Sequence, residues 1–312
     1  MRCGNIGEDI KGSKGNLRTH GTRELANPRT RNRTSRFMKP RASLPSDVEN
    51  HRDYHWRREA TRQVESAFEA ERFVEQAGFS ACLTDTRRPG PSLYVAVCGR
   101  RDAVLPRNVQ KDPEASLTWQ LKDEILRRGR IYYAKLARGR STFIAPRLVP
   151  HFHAVWGMRK SEEKTGLSEP AQKVLRVLRR EWELTSSELR TDAKITDRKV
   201  FNQAMDELQA ALIVVPGAVF YEPKFTYTWT LAVGRFPDAF TTRVRRPDAL
   251  REIARAFLAG AGVTVRGELA RVTGLSRRDA GIGNQALVEE GYATWVSTGV
   301  YRLASPLTQL AD

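Results

Sequence analysis

The spacing of apolar residues over 196–212 predicts an amphipathic helix. Apolar side chains recur every three or four positions, which is the period of one helix face. They are Val200, Phe201, Ala204, Met205, Leu208, Ala211 and Leu212. Thr196 is the expected N-cap, and Arg198 and Lys199 follow in the first turn. Because cations at a helix N-terminus oppose the helix dipole, we expect these two to serve a purpose other than helix stability.

The flanking segments predict a winged helix-turn-helix. Thr185-Ser186-Ser187-Glu188 has the form of a capping box and begins a short helix before the one described above. After it, residues 213–215 and 225–231 have strand character, with a turn expected at Pro216-Gly217. A helix capped by Ser168 precedes these elements. The order is that of a winged helix, and we assign it to residues 168–235.

The C-terminal segment repeats this unit at an offset of 80 residues. The matched pairs include Arg198 with Arg278, Leu208 with Val288, and Tyr221 with Tyr301. Ser276 is again an N-cap followed by a basic turn, so residues 247–305 are predicted to form a second winged helix. Gly281 and Gly283 lie inside its second helix, where each costs about 1 kcal/mol relative to Ala. That helix is therefore expected to be short or to pack very closely against a neighbour.

Residues 53–157 are predicted to form an α-rich N-terminal domain. A long helix is expected over 53–77, with Phe68 on its apolar face and Gly78 at its end, followed by a short strand at 79–83. Residues 84–91 have the composition of a loop, and Leu93 to Cys98 can be helix or strand. A helix over 117–128 is expected to continue through 131–136. The whole chain is thus predicted to be mainly α with small β-hairpins, an α+β fold.

Charge and composition restrict the classes of molecule that we expect the chain to bind. The net charge is +17, and residues 1–46 hold 11 Lys/Arg against 3 Asp/Glu, a net +8. This polar segment lacks periodicity and is expected to be a disordered basic tail, with a DNA-contacting arm or a start at Met38 as alternatives. The remainder carries +9, which favours nucleic acid or an anionic surface as partner.

Other features indicate a cytoplasmic protein. No run of 18 apolar residues occurs, so no membrane partner is expected. The N-terminus has no apolar signal segment. Three cysteines, at 3, 82 and 98, fit neither a disulfide framework nor a zinc site, which points to a reducing compartment. We expect a bacterial protein associated with the nucleoid.

The second helices of the two winged units carry the predicted DNA contacts. Residues near the N-terminus of such a helix reach base edges and phosphates. The candidates are Arg198, Lys199, Asn202, Gln203, Arg277 and Arg278. Arg can pair with guanine, and Asn or Gln with adenine. The alternative is a winged helix that binds protein, which an apolar exposed face on the 196–212 helix would support.

Catalytic motifs are few. The chain has no P-loop, nucleophile elbow or His-Glu-x-x-His. His151-Phe152-His153 can place two imidazoles on one side of a strand, but no third ligand is evident, and a pair of histidines at a helix end is the preferred interpretation. Neither a metal nor a small-molecule cofactor is therefore expected.

A denser polar and aromatic cluster runs from 119 to 135. It contains Trp119, Lys122, Asp123, Tyr132, Tyr133 and Lys135, and a basic turn with Arg138 and Arg140 follows it. The cations among these residues are further candidate DNA contacts: Lys122, Lys135, Arg138 and Arg140. Such a cluster can stack a nucleobase and hold a carboxylate near a sugar. The alternative is an amphipathic helix with Trp119 buried and both Lys122 and Asp123 at the surface.

The chain resembles the AlkZ/YcaQ-related winged-helix proteins. The resemblance covers residues 60–305 and rests on the tandem winged helices and on Trp119-Gln120-Leu121-Lys122-Asp123, Tyr133-Ala134-Lys135-Leu136, Gly139 and Thr142-Phe143-Ile144. The group includes bacterial DNA glycosylases that excise alkylated or crosslinked bases. The resemblance implies three winged-helix units around a DNA-binding concavity, with the first unit degenerate here.

One departure from that family concerns the catalytic motif. Its glycosylases carry Gln-apolar-Gln or Gln-apolar-Asp, and the best match here is Ser80-Ala81-Cys82, which cannot activate a water. We therefore expect a protein that binds double-stranded DNA and does not use the family mechanism. The alternatives are a glycosylase using Asp123, or Glu65 with Gln63, and a transcription regulator or interaction scaffold. The oligomeric state stays open.

Overall fold

The computed structural model describes residues 44–85, 90–136 and 139–307. The helices in these ranges are α1 Ser46–Trp56, α2 Ala67–Ala77, α3 Leu93–Cys98, α4 Pro113–Arg128, α5 Val149–Trp156, α6 Glu163–Gly166, α7 Glu169–Glu181, α8 Ser186–Asp192, α9 Arg198–Ala210, α10 Ala232–Arg235, α11 Pro237–Thr241, α12 Arg246–Ala261, α13 Glu268–Thr273 and α14 Arg277–Glu289. The strands are β1 Phe79–Ala81, β2 Tyr132–Leu136, β3 Arg140–Ile144, β4 Glu183–Thr185, β5 Val214–Phe220, β6 Thr226–Leu231, β7 Val263–Thr264, β8 Ala293–Ser297 and β9 Val300–Leu303. Helices combined with small antiparallel sheets confirm the predicted α+β class.

Three units share one element order: helix, strand, helix, helix, hairpin. They are α2-β1-α3-α4-β2-β3, α7-β4-α8-α9-β5-β6 and α12-β7-α13-α14-β8-β9. In each sheet the last strand of the unit lies between the other two, and all pairings are antiparallel. The first unit has longer connections on both sides of α3, which explains why no repeat could be aligned there from sequence.

The prediction of one long helix over 53–77 is wrong, because the structure has two helices there, α1 and α2. Arg57 adopts a left-handed conformation (φ 52°) that ends α1, and a 3-10 turn at Ala60–Arg62 follows. A capping box between Ser66 and Glu69 then begins α2. Phe68, predicted on the apolar face, is 55% exposed. The helix end at Gly78 and the short strand after it are confirmed, because Gly78 supplies the positive φ of the cap.

The predicted helical continuation over 131–136 is also wrong. Gly129, with φ 67°, ends α4, and the chain turns into strand β2. That strand pairs with β3, and Tyr133 lies opposite Phe143. The apolar pattern there fits a strand buried on both faces, which periodicity cannot distinguish from a buried helix. Residues 93–98, left open as helix or strand, are helix α3.

In the second unit two local predictions need correction. The N-cap of α9 is Asp197 and not Thr196. The Asp197 carboxylate accepts hydrogen bonds from the backbone N–H groups of Lys199 and Val200. The hairpin does not turn at Pro216-Gly217, because β5 runs through that dipeptide with a bulge before Val219. The chain reverses instead over 221–225.

In the third unit the repeat holds only as far as the hairpin. Ser276 caps α14 as predicted, but Tyr221 lies in the hairpin turn and its match Tyr301 lies within β9. The offset of 80 fails there because the third hairpin is shorter. Close packing is confirmed at Gly283, where an added Cβ would lie 2.4 Å from the Leu250 carbonyl oxygen. At Gly281 an added Cβ would meet no atom of the described residues within 4 Å.

Helix α1 is fastened to the third unit by one buried arginine. The guanidinium of Arg52 donates two hydrogen bonds of 3.0 Å to the Glu268 carboxylate, and both side chains are almost fully buried. It also donates to the carbonyl oxygens of Ala261 and Val263. This one side chain therefore neutralises a buried charge and satisfies two backbone acceptors.

A histidine on the same helix makes stability depend on pH. Burial, with smaller effects of nearby His51 and Arg62, lowers the pKa of His55 from 6.5 to about 4. The unfolded chain then binds more protons between these values, so stability falls as pH drops from 6.5 towards 4. We expect His55→Gln to flatten the dependence of Tm on pH over this interval. An unchanged slope in that variant would contradict the assignment.

Within the described ranges, none of the helices combines the length and the apolar character needed to cross a membrane.

Candidate functional site

A cavity of about 550 Å³ opens in the first unit, between the end of β1, helix α4 and the start of β3. Its volume falls in the range of about 300–1,000 Å³ that small-molecule sites occupy. The residues that line it are Leu83, Thr84, Asp85, Val104, Leu105, Trp119, Gly139, Arg140 and Ser141. The wall is thus mixed, with apolar and polar side chains in equal number.

Three of these side chains bring distinct chemistry to the cavity. Trp119 offers a flat aromatic surface on which a planar ligand can stack. Arg140 contributes a guanidinium and Asp85 a carboxylate, and both residues also interact with other groups. Trp119 belongs to the predicted cluster, and Arg140 to the basic turn that follows it. Asp85 was missed, because the residues around it had only the composition of a loop.

A buried ion pair between Lys122 and Asp123 lies next to Trp119. The Lys122 ammonium is 4.9 Å from the centre of the Trp119 ring and 2.5 Å from the Asp123 carboxylate. It donates a 2.7 Å hydrogen bond to the Tyr227 hydroxyl, while the Tyr221 hydroxyl donates to the other carboxylate oxygen. Lys122 is 1% exposed and Asp123 4%. The alternative prediction, which placed both Lys122 and Asp123 at the surface, is therefore wrong, because the hairpin β5–β6 covers the two side chains.

Electrostatics hold Lys122 and Tyr221 each in one protonation state. Burial alone would lower the pKa of Lys122, but Tyr227 and Asp123 outweigh it and raise the pKa above the ordinary 10.5. Burial and the hydrogen bond to Asp123 raise the pKa of Tyr221. Lys122 is therefore charged and Tyr221 neutral over the physiological range. Asp123, held by both, has little access to a water molecule that it could activate.

The other catalytic candidates lie outside the lining of the cavity. The Gln63 amide donates a 3.0 Å hydrogen bond to the Cys98 carbonyl oxygen. Glu65 is exposed, and neither residue lines the cavity. Ser80 and Cys82 are fully buried, and burial raises the pKa of the Cys82 thiol to about 12, so the thiol stays neutral. Neither of these two side chains is placed to orient a water.

The structure places the predicted DNA-contacting residues on matching exposed surfaces. On α9 these are Arg198, Lys199, Asn202 and Gln203, and on α14 they are Arg277 and Arg278. Both sets occupy the N-terminal part of the second helix of their unit. The corresponding helix of the first unit begins instead with an acidic turn at Glu114. Apart from Ala210 at its end, the exposed residues of α9 are polar, so the helix lacks the apolar face that would support a protein-binding scaffold.

The remaining basic candidates have different environments. The Lys135 ammonium lies 3.0 Å from the Asp206 carboxylate, which ties β2 to α9. Arg140 lines the cavity, and Arg138 lies outside the described residues. His151 and His153 lie on helix α5 and not on a strand. No group of three or more His, Cys, Asp or Glu side chains in residues 44–85, 90–136 and 139–307 is placed to hold a metal ion.

Comparisons with known proteins agree with this architecture. The model of the AlkZ-related family matches residues 64–254, which is more than half of the chain. The fold is similar to that of Streptomyces sahachiroi DNA glycosylase AlkZ, with a TM-score of 0.51 and 14% sequence identity, over 82% of this chain and 69% of that one. No curated protein matches the chain. The family match spans the first two units and enters the first helix of the third. The chain therefore belongs to the AlkZ-related family.

Proposed function

We propose that this protein is a winged-helix protein that binds double-stranded DNA with helices α9 and α14. The observation that carries the proposal is the exposed basic turn at the same place in both units, Arg198-Lys199 and Arg277-Arg278. Such a turn weakens each helix electrostatically, so it is explained by a polyanionic partner. The similarity of the fold to a DNA glycosylase supports the same class of partner.

Polar neighbours on α9 extend this surface. Asn202 and Gln203 are exposed one turn after the two cations, where the second helix of a helix-turn-helix meets base edges. The cations would bind phosphates and set the register, and the two amides would read the groove. Each good bidentate contact discriminates against a wrong base by roughly 1–3 kcal/mol.

Replacing one of these cations should reduce the salt dependence of binding. Each phosphate contact contributes about 0.9 to the slope of log K against log salt concentration. We therefore expect Arg198→Ala to lower that slope by about 1, measured by fluorescence anisotropy with a labelled duplex. Lys173→Ala on α7 removes the same charge from the same unit and is the matched control. Equal slopes in the two variants would remove Arg198 from the interface.

The cavity favours a second function, excision of a modified base. Its size and the Trp119 ring suit a single unpaired base, which an enzyme of this type takes out of the duplex. Asp85 would accept a proton from a water whose oxygen bonds to C1′ of the sugar as the N-glycosidic bond breaks. The electron pair of that bond would leave with the base and neutralise the positive charge that N-alkylation places on its ring. This route replaces the glutamine chemistry of the family with a carboxylate from the chain after β1.

Substitution at Asp85 separates this function from DNA binding. We expect Asp85→Asn to reduce the formation of abasic sites in alkylated duplex about a hundredfold, because a general base contributes a factor of this order. Its affinity for the duplex should stay close to that of the wild type. Asp102→Asn, an exposed carboxylate in the same unit, is the control. If the wild type forms no abasic sites on a panel of alkylated and crosslinked duplexes, the second function is excluded.

A further inference from the structure

A smaller cavity lies in the third unit, between helices α13 and α14 and the turn of the hairpin β8–β9. Its volume is about 230 Å³, and Arg266, Arg277, Gly281, Asn284, Gly299 and Tyr301 are among the residues around it. This is below the range of about 300–1,000 Å³ for drug-sized ligands. It is still large enough for several water molecules or a small polyatomic anion. The size therefore restricts the ligand to a compact group.

Asn284, in the wall of this cavity, has an unsatisfied amide oxygen. The residue is 5% exposed, and its side-chain oxygen is buried with no hydrogen-bond partner among the residues that the structure describes. Buried amide groups are almost always hydrogen-bonded, since leaving one unsatisfied costs free energy. The amide can rotate by 180°, so it can present either its oxygen or its NH2 group to the same space. A polar ligand in the cavity would satisfy it.

The charges around the cavity favour an anion. Arg266 and Arg277 are exposed and bring two guanidinium groups to it. Glu268 also lines it, but Arg52 binds both oxygens of that carboxylate. Arg277 is moreover the first residue of the 13-residue helix α14, whose N-terminus carries the positive end of the helix dipole. The net charge at the cavity is thus positive.

We propose that this cavity binds a phosphate group. Phosphate is compact, accepts bidentate hydrogen bonds from arginine, and carries further oxygens for an amide donor. Arg277 and Arg266 bind its charge, and Asn284 hydrogen-bonds an oxygen at the buried end. The phosphate is either part of the DNA backbone or part of a free phosphorylated molecule. Only the first of these possibilities rests on the proposed function.

Titration with inorganic phosphate tests the site without DNA. We expect the full-length protein in chloride buffer to bind phosphate saturably, as followed by calorimetry. Arg277→Ala should weaken binding at least about tenfold, because it removes a charge-assisted hydrogen bond. Arg243→Ala removes an exposed charge that does not line the cavity, and it should bind phosphate as the wild type does.

Two further variants separate loss of the site from loss of the fold. Gly281→Leu puts a side chain into open space beside the cavity and replaces glycine in a helix, so its Tm should not fall while phosphate binding disappears. Asn284→Leu replaces the unpartnered amide by an apolar group of similar size and should also abolish binding. Wild-type affinity in both variants, or the absence of saturation in the wild type, would overturn the proposal.

Competition then identifies the source of the phosphate. Displacement of bound phosphate by duplex DNA at low salt assigns the site to a backbone phosphate. Retention of phosphate in the presence of saturating duplex assigns it to a free phosphorylated ligand. Because the first titration contains no DNA, a failure of the DNA-binding proposal leaves its result unaffected.

Discussion

Arg52→Ala is expected to destabilise the protein by about 3–5 kcal/mol, which is the usual cost of removing one partner of a buried ion pair. The substitution leaves the Glu268 carboxylate buried without its partner, and it removes the donor to the carbonyl oxygens of Ala261 and Val263. Since these interactions join α1 to the third unit, the destabilisation should appear in the third unit first. Denaturant unfolding measures the total effect, and hydrogen exchange of α12 and α13 localises it.

A surface ion pair of the same helix is the control for Arg52. Arg302 binds Asp47 with both side chains well exposed, so Arg302→Ala should leave stability close to the wild-type value. A double variant, Arg52→Met with Glu268→Leu, should recover much of the stability, because no buried charge remains unpaired. If Arg52→Ala is no more harmful than Arg302→Ala, the buried pair does not fasten α1 to the third unit.

Lys122→Met is expected to cost about 3–5 kcal/mol for the same physical reason. The Asp123 carboxylate would keep only the Tyr221 hydroxyl, and the Tyr227 hydroxyl would no longer have its donor. The raised pKa of Lys122 sets the pH range of this contribution. The contribution of charged Lys122 to stability is complete below its ordinary pKa of 10.5. It is lost only as the pH rises through the higher pKa that Lys122 has in the folded protein. The full effect should therefore be seen at neutral pH.

Companion variants show whether charge or packing accounts for the destabilisation at Lys122. Tyr227→Phe removes one hydrogen-bond acceptor and should cost about 1 kcal/mol. Lys122→Met combined with Asp123→Leu should be less harmful than Lys122→Met alone, since the double variant leaves no buried carboxylate. Additive effects of the two single substitutions would contradict a coupled pair. Denaturant midpoints of these variants and of Asp123→Leu provide the test.

Three helix starts could be predicted from local signals, whereas the N-cap of α9 was placed one residue too early, at Thr196 instead of Asp197. Ser168, Ser276 and the Thr185–Glu188 capping box each act within one turn, and each caps its helix as expected. Predictions failed where a local signal had two solutions. Pro216-Gly217 has turn composition but forms a bulge, because β6 continues alongside it. The break after α1 depends on Arg57, a residue type that does not mark a left-handed conformation.

The candidate site was less predictable than the fold. Helical periodicity was sufficient to find the exposed basic turns of α9 and α14. Burial of Lys122 and Asp123 depends on Tyr221 and Tyr227, which lie on a hairpin about a hundred residues later in the chain. No local pattern signals such an interaction. Asp85 likewise reaches the cavity only because the fold brings the chain after β1 next to α4.

Binding of duplex DNA over a salt series tests the central claim most directly. The wild type is compared with a variant in which Arg198, Lys199, Arg277 and Arg278 are all replaced by alanine. We expect log Kd of the wild type to rise steeply and linearly with log salt concentration. The slope of the variant should be smaller by about 0.9 for each phosphate that it no longer binds. A wild-type affinity insensitive to salt, or equal slopes in the two proteins, would contradict the central claim.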